Sequence, residues 1–152
     1  LKSQGFNNLY THDICDLNFN LDKKYDVVLF PNIIEHLSNV GNALQNIKKL
    51  MRKDSKLIIT TNNAFDILVI LKLFFNYESV HDEHTSYYSY STMKRILTMN
   101  ELKIENFYFA FNEKKWSLKN NKLQFFLKIF QNSFGTIFKQ FSEDLIFVVN
   151  KE

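Results

Sequence analysis

The chain has 152 residues, 45% of them hydrophobic and 23% charged, with a net charge of +3. That length supports one domain with its own core, and so small a charge excludes the chain as a whole from the strongly basic polyanion binders. No apolar run approaches the ~18 residues that cross a bilayer, nothing resembles a signal peptide, and the single cysteine, Cys15, cannot close an internal disulfide, so a reducing cytoplasm is the expected location.

The chain opens on Leu1 rather than methionine. Leu1–Gln4 followed by Gly5 reads as the last turn of a helix with a glycine just past its end, which predicts a preceding segment. Asn8–Ile14, NLYTHDI, reads as a strand with Asp13 at its C-terminal end, the end where open α/β sheets form their ligand crevice. Asp13 and Asp16 are equally the type of residue that starts a turn. Tyr25–Phe30 is a short valine-rich run, the pattern of a strand buried on both faces. Pro31-Asn32 ends it, because proline has no amide to give to a ladder. Leu37, Val40, Leu44, Ile47 and Met51 recur at steps of three and four, one face of a helix. Ser38 or Asn39 is its predicted cap, and Lys48, Lys49, Arg52 and Lys53 crowd its last turn, where cations suit the helix dipole. Leu57–Thr61 is a second strand of the buried type. Two such strands joined by a helix imply a parallel pair. Thr60–Asn63 then act as turn formers or line a substrate mouth.

Ile67–Phe75 is apolar on nearly every side, with Lys72 the exception, and reads as a helix over a site mouth or within the core. His81, Asp82, Glu83 and His84 invite a metal reading. Four adjacent loop residues rarely converge on one ion, and the sequence offers no evident distant partner group, so no metal site is predicted. Ser91 is read as the cap of a helix over Thr92–Met99 that turns Met93, Ile96 and Leu97 inward. Leu102–Phe111 and Leu145–Val149 are further strands. Between them lies an insertion over 114–141, basic, amphipathic, aromatic and helical in pattern, with Gly135 as a break. It suits a lid or substrate wall, a homodimer face, or a helix at 118–141 lying on an anionic membrane surface. Basic residues with interleaved aromatics also suit single-stranded nucleic acid, but no recognition motif accompanies them and no specific nucleic-acid partner is predicted.

From Tyr25 to Phe65 the chain reads YDVVLFPNIIEHLSNVGNALQNIKKLMRKDSKLIITTNNAF. This resembles the second half of a class I S-adenosylmethionine-dependent methyltransferase: a (Y/F)D-apolar strand, a loop ending in EHL, a helix, and a strand ending in T-x-N. His81, His84, Tyr87, Tyr88 and Ser89 match a further H-x-x-H-x-x-(Y/W)-(Y/F)-S segment that borders the acceptor pocket in related enzymes. The resemblance implies an α/β, Rossmann-like, mostly parallel sheet with an antiparallel last strand, and makes residues 1–152 an N-terminally truncated domain. It implies S-adenosyl-L-methionine as cofactor. Asp13 then accepts a hydrogen bond from the adenine amino group, the Ile14 amide faces the ring, and Phe30, Pro31 and Asn32 flank the cofactor.

The same resemblance implies methyl transfer to a small-molecule or glycan-like acceptor. His36 and His84 are the candidate bases on the acceptor side, with Glu35 beside them, since an imidazole pKa near 6.5 suits proton transfer at neutral pH. Each histidine has a plain structural alternative, as a hydrogen-bond partner near a helix start or within a folded-back loop. The glycine-rich turn of such folds is not in this chain, whose glycines, Gly5, Gly41 and Gly135, lie far apart. That turn is expected to precede Leu1. The alternative to an enzyme is an inactive fragment or pseudo-enzyme that serves as a binding module through its aromatic insertion. A nicotinamide-dependent nucleotide-sugar enzyme on a similar sheet is a third reading, against which the EHL helix and the T-x-N strand end both count.

Overall fold

Leu57, Ile59 and Thr61 are fully buried, and Ile58 and Thr60 between them are half-buried. The same alternation runs through Leu145, Phe147 and Val149. A period of two is the signature of strands with one face on the core. The molecule is seen here as a computed structural model that describes residues 8–78, 81–111, 129, 133 and 137–152. Its four described strands are β1 (Tyr25–Pro31), β2 (Met51–Asn62), β3 (Leu102–Ala110) and β4 (Asp144–Lys151). They form one sheet in the order β1-β2-β4-β3. β1 and β2 are parallel, with Val27 to Pro31 in register against Lys56 to Thr60. β4 is antiparallel to both β2 and β3. The fold is therefore α/β and Rossmann-like, and the antiparallel pair at one edge agrees with the sequence reading.

Helix α1 (Val40–Leu50) is the crossover between the parallel strands. Its Ala43, Leu44 and Ile47 are buried. Asn39, not Ser38, is the cap: its side chain accepts the Asn42 amide at 3.0 Å, satisfying one of the orphan donors at a helix start. Met51, read as the last helical core position, is instead the first residue of β2, although it is buried as expected. Residues 52–55 bulge away before continuous pairing begins, held by the Arg52 amide on Ser55 Oγ at 2.7 Å and by Ser55 Oγ on the Tyr25 carbonyl at 2.5 Å. Helix α2 (Ile67–Leu73) has no buried residue, so it does not belong to the core. Helix α3 (Tyr90–Met99) starts two residues earlier than its apolar spacing implied. Ser89 caps it through a reciprocal box with Thr92, in place of Ser91. Met93 and Leu97 face inward as predicted.

Two expectations fail. Asn8–Ile14 forms no strand: residues 8–13 have no regular structure, and a turn follows at once. β1 is not buried on both faces: Val28 and Phe30 face the core, whereas Val27 and Leu29, on the opposite face, are 52% and 65% exposed. The proposed helix tail at Leu1–Gly5 and nearly all of the 114–141 insertion lie outside the described residues. Its described end, Lys139–Phe141, is a single 3₁₀ turn. No helix among the described residues is long and apolar enough to cross a membrane.

α1, α3 and the inward face of the sheet share one apolar cluster, in which Phe147 is fully buried. Its ring lies 4.9 Å from that of Phe107, and it pairs across the sheet with Ile59. Truncation at the centre of such a cluster removes transfer energy and leaves a cavity. Phe147→Ala is expected to lower the unfolding free energy by about 3–5 kcal/mol. Phe75→Ala, at a residue 83% exposed, is expected to change it by less than about 0.5 kcal/mol. Urea denaturation of the two variants checks both.

Candidate functional site

β1 runs out at Pro31, and the next residue, Asn32, takes the left-handed conformation at φ 47°. Asparagine tolerates that region better than most residues, and here the turn is secured from both sides. The Asn32 amide donates to the Thr60 carbonyl at 2.9 Å, and Thr60 Oγ1 donates to Asn32 Oδ1 at 3.1 Å. The chain is thereby turned at the carboxyl end of the parallel pair, where open α/β sheets place their ligands. A short 3₁₀ turn follows, Ile34–His36, and carries Glu35 and His36.

Glu35 is 1% exposed. Thr61 Oγ1, at the end of β2, donates to its Oε2 at 3.1 Å. Its main-chain carbonyl receives the Thr85 amide at 2.8 Å, the Ser86 amide at 3.3 Å and Thr85 Oγ1 at 3.0 Å. These bonds draw the 81–88 loop onto the turn. The His36 and His84 rings come to 4.6 Å apart, and the His81 ring lies 4.9 Å from that of His84. His36 Nδ1 sits 3.1 Å from the Glu83 carbonyl. A carbonyl can only accept, so Nδ1 carries the proton and neutral His36 keeps its lone pair on Nε2. Burial pushes the His84 pKa below the ordinary imidazole value, and the neighbouring His36 pushes it the same way. The shift favours the neutral His84 ring, the form that can take a proton.

Ligand atoms of Glu35, His36 and His84 all lie within 4.8 Å of one another. The sequence reading found no distant partner for the His81–His84 loop. Glu35 and His36, nearly fifty residues upstream, supply one.

The Asp13 side is built differently. Asp13 Oδ1 accepts the Cys15 amide at 2.8 Å, and the Asp13 carbonyl accepts the Asp16 amide at 3.2 Å, so Asp13 heads a turn. It is exposed. A carboxylate can accept from more than one donor, so the bond to Cys15 is compatible with a second one from an adenine amino group. The turn is fastened to α1. Asn46 Nδ2 donates to the carbonyls of Ile14 at 2.8 Å and Asp16 at 2.7 Å, and Asn42 Nδ2 donates to Cys15 O at 3.3 Å. Sequence reasoning passed over Asn46. The sequence carried no signal for it, since at helical spacing Asn46 lies about 160° around from Leu44; only the structure, which buries it at 3% exposure, finds it. Phe30 is buried, and Pro31 and Asn32 are exposed at the strand end. Thr61 and Asn63 are buried and taken up by internal hydrogen bonds: Asn63 Nδ2 donates to the carbonyls of Gln140 and Ser142, each at 2.8 Å.

A family model described as a methyltransferase domain matches residues 2–106. Among solved structures, an S-adenosylmethionine-dependent methyltransferase from Clostridium acetobutylicum superposes with a TM-score of 0.60 at 13% identity, over 99% of this chain and 67% of that one. An O-methyltransferase from a trans-AT PKS multienzyme of Brevibacillus brevis, in complex with S-adenosyl-L-homocysteine, gives 0.58 at 13% identity, over 93% and 48%. The magnesium protoporphyrin IX methyltransferase of Synechocystis, with bound S-adenosylhomocysteine, gives 0.54 at 13% identity, over 94% and 50%. At these identities the likeness is one of fold. The chain spans from 33% to 67% of the length of these and similar structures. No match to a curated protein was found.

The Asn46 clamp yields a direct test. Removing its amide group leaves two carbonyls without their donor, and Asn46→Ala is expected to lower stability by about 1–3 kcal/mol. Asn46→Asp, which keeps the shape but offers only acceptors, is expected to lose at least as much. Urea midpoints at unchanged slope check this.

Proposed function

This chain belongs to the class I S-adenosylmethionine-dependent methyltransferases, and on that premise we propose that the protein methylates a hydroxyl group of a small-molecule or glycan-like acceptor, with S-adenosyl-L-methionine as methyl donor. The observation that carries the reading is the meeting of Glu35, His36 and His84 at the carboxyl ends of β1 and β2. A hydroxyl is the acceptor this cluster suits, because a hydroxyl must lose a proton and a neutral imidazole can take or polarise it. Three solved structures of the same fold are O-methyltransferases by title, which supports the choice of oxygen.

When bound, the cofactor supplies an activated sulfonium methyl group. The chain's own contribution is alignment and proton handling. Asp13 accepts from the adenine amino group, and the Ile14 amide faces the ring. Phe30, Pro31 and Asn32 form the wall at the end of β1, and the left-handed Asn32 turns the chain away so that the ligand can approach the strand end. His36 and His84 form the acceptor side, with Glu35 beneath them. Holding acceptor and methyl donor in line can supply a large part of the rate enhancement. The two imidazoles act only on the acceptor's proton, so they and Asp13 serve separable steps.

The test is titration of S-adenosylhomocysteine into the full-length protein, paired with turnover. Asp13→Ala is expected to weaken binding about tenfold, the equivalent of ~1.4 kcal/mol. His36→Ala and His84→Ala are each expected to lower turnover by about 10²–10⁴ while changing that affinity by less than about twofold. Unchanged affinity in the Asp13 variant removes the adenine assignment. Full turnover in both histidine variants removes the acceptor-side one.

A further inference from the structure

Two buried polar atoms at this rim have no hydrogen-bond partner among the described residues. One is Glu35 Oε1 and the other is His84 Nδ1. Glu35 is 1% exposed, so its carboxylate sits in the interior with only Thr61 on its other oxygen. A buried carboxylate oxygen and a buried imidazole nitrogen left open, on residues whose ligand atoms gather within 4.8 Å together with those of His36, are a donor set that lacks its acceptor. The sequence alone argued against an ion, because adjacent loop residues do not converge. The structure removes that objection by bringing the 34–36 turn against the loop.

We propose that Glu35, His36 and His84 form a three-ligand site for a first-row divalent cation of the zinc type, with the fourth position open to an oxygen of water or of the acceptor. The chemistry selects the class. Imidazole nitrogen suits zinc and its neighbours, and one carboxylate with two imidazoles is a common ligand set for a catalytic zinc ion. Magnesium prefers oxygen ligands and keeps its waters, and this site offers mostly nitrogen. Four-coordinate bonds of about 2.1 Å put ligand atoms about 3.4 Å apart, so a set that already lies within 4.8 Å closes by side-chain rotations of roughly 1–1.5 Å.

The surrounding groups are those that fix metal ligands. The Glu83 carbonyl holds the His36 Nδ1 proton at 3.1 Å and so presents the Nε2 lone pair, and Thr61 holds the second oxygen of Glu35. His81 is not in the set. Its Nδ1 accepts the Glu83 amide at 3.3 Å, so in the neutral ring Nε2 carries the proton. The site rests on the proposed acceptor-side reading for its consequence alone: with their lone pairs on the cation the imidazoles no longer take the proton, and the cation itself makes the bound acceptor hydroxyl more acidic. The binding claim stands on the geometry.

The experiment is titration of metal-free full-length protein with Zn²⁺ alone and, separately, Mg²⁺ alone, by calorimetry. The visible absorption of Co²⁺ in the same protein gives a second readout that needs no variant. The expected result is one saturable equivalent of Zn²⁺, at least tenfold tighter than Mg²⁺, and a Co²⁺ spectrum of a four-coordinate nitrogen–oxygen site. Glu35→Gln and His84→Ala are each expected to weaken Zn²⁺ binding at least tenfold, and His12→Asn, away from the cluster, to leave it unchanged. Absence of a saturable equivalent in the native protein overturns the site, as does native affinity in both cluster variants. S-adenosylhomocysteine titrated into the same samples separates the two readings. Zinc binding without cofactor binding sinks methyl transfer and keeps the cation site, and cofactor binding without zinc does the reverse.

Discussion

Glu35, on the turn after β1, bonds both to the end of β2 and to the 81–88 loop. Glu35 gives its main-chain carbonyl to Thr85 and Ser86 and one carboxylate oxygen to Thr61. Burying a carboxylate costs several kcal/mol unless it is well compensated. Its retention at 1% exposure means that the rim is organised around a polar group rather than a packed apolar one. Together with the bond between His36 Nδ1 and the Glu83 carbonyl, those bonds set the distance between His36 and His84.

Elsewhere the same problem, main-chain groups without a ladder, is solved by buried asparagines. Asn46 receives the 13–16 turn through two carbonyls, and its Oδ1 accepts Lys49 Nζ at 2.9 Å. Asn63 ends β2 by holding Gln140 and Ser142 through its side chain, and its own amide donates to the Glu143 carbonyl at 2.7 Å. Each asparagine carries both donors and an acceptor, so one side chain can close several backbone groups at once. The chain leading into β4 and the turn bearing Asp13 are therefore positioned by hydrogen bonds that a hydrophobic pattern does not record.

This explains which parts of the molecule were legible. The helix of α1 was visible because Val40, Leu44 and Ile47 repeat at its period, and α3 because Met93 and Leu97 do. β2 and β4 were visible as valine- and isoleucine-rich runs. Asn8–Ile14 misled because an apolar–polar mixture resembles a strand even where none of the described strands pairs with it. The valines of β1 read as doubly buried because sequence composition does not say whether both faces of a sheet are covered, and here Val28 packs on the core while Val27 is exposed. The α3 cap was displaced because Ser89 and Ser91 are both good caps, and only the Thr92 side chain, reaching back to the Ser89 amide at 2.9 Å, decides between them. His36 and His84 were each recognisable as chemistry-bearing residues. Their meeting was not, because it depends on contacts between residues 48 positions apart, and periodicity is blind to that separation.

The two halves of the proposed site accordingly differ in what holds them. The acceptor half lies wholly within the span from Asn32 to Tyr88 and is fixed by the junction at Glu35, which ties it to the end of β2. The half proposed for adenine is fastened to α1 by side-chain amides, with the Ile14 side chain packed against the core cluster as its apolar anchor. A perturbation of α1 near Asn46 therefore reaches the Asp13 turn before it reaches the histidines, and a perturbation at Thr61 does the opposite. Because α1 is itself the crossover between the two parallel strands, both halves are referred to the same pair, β1 and β2.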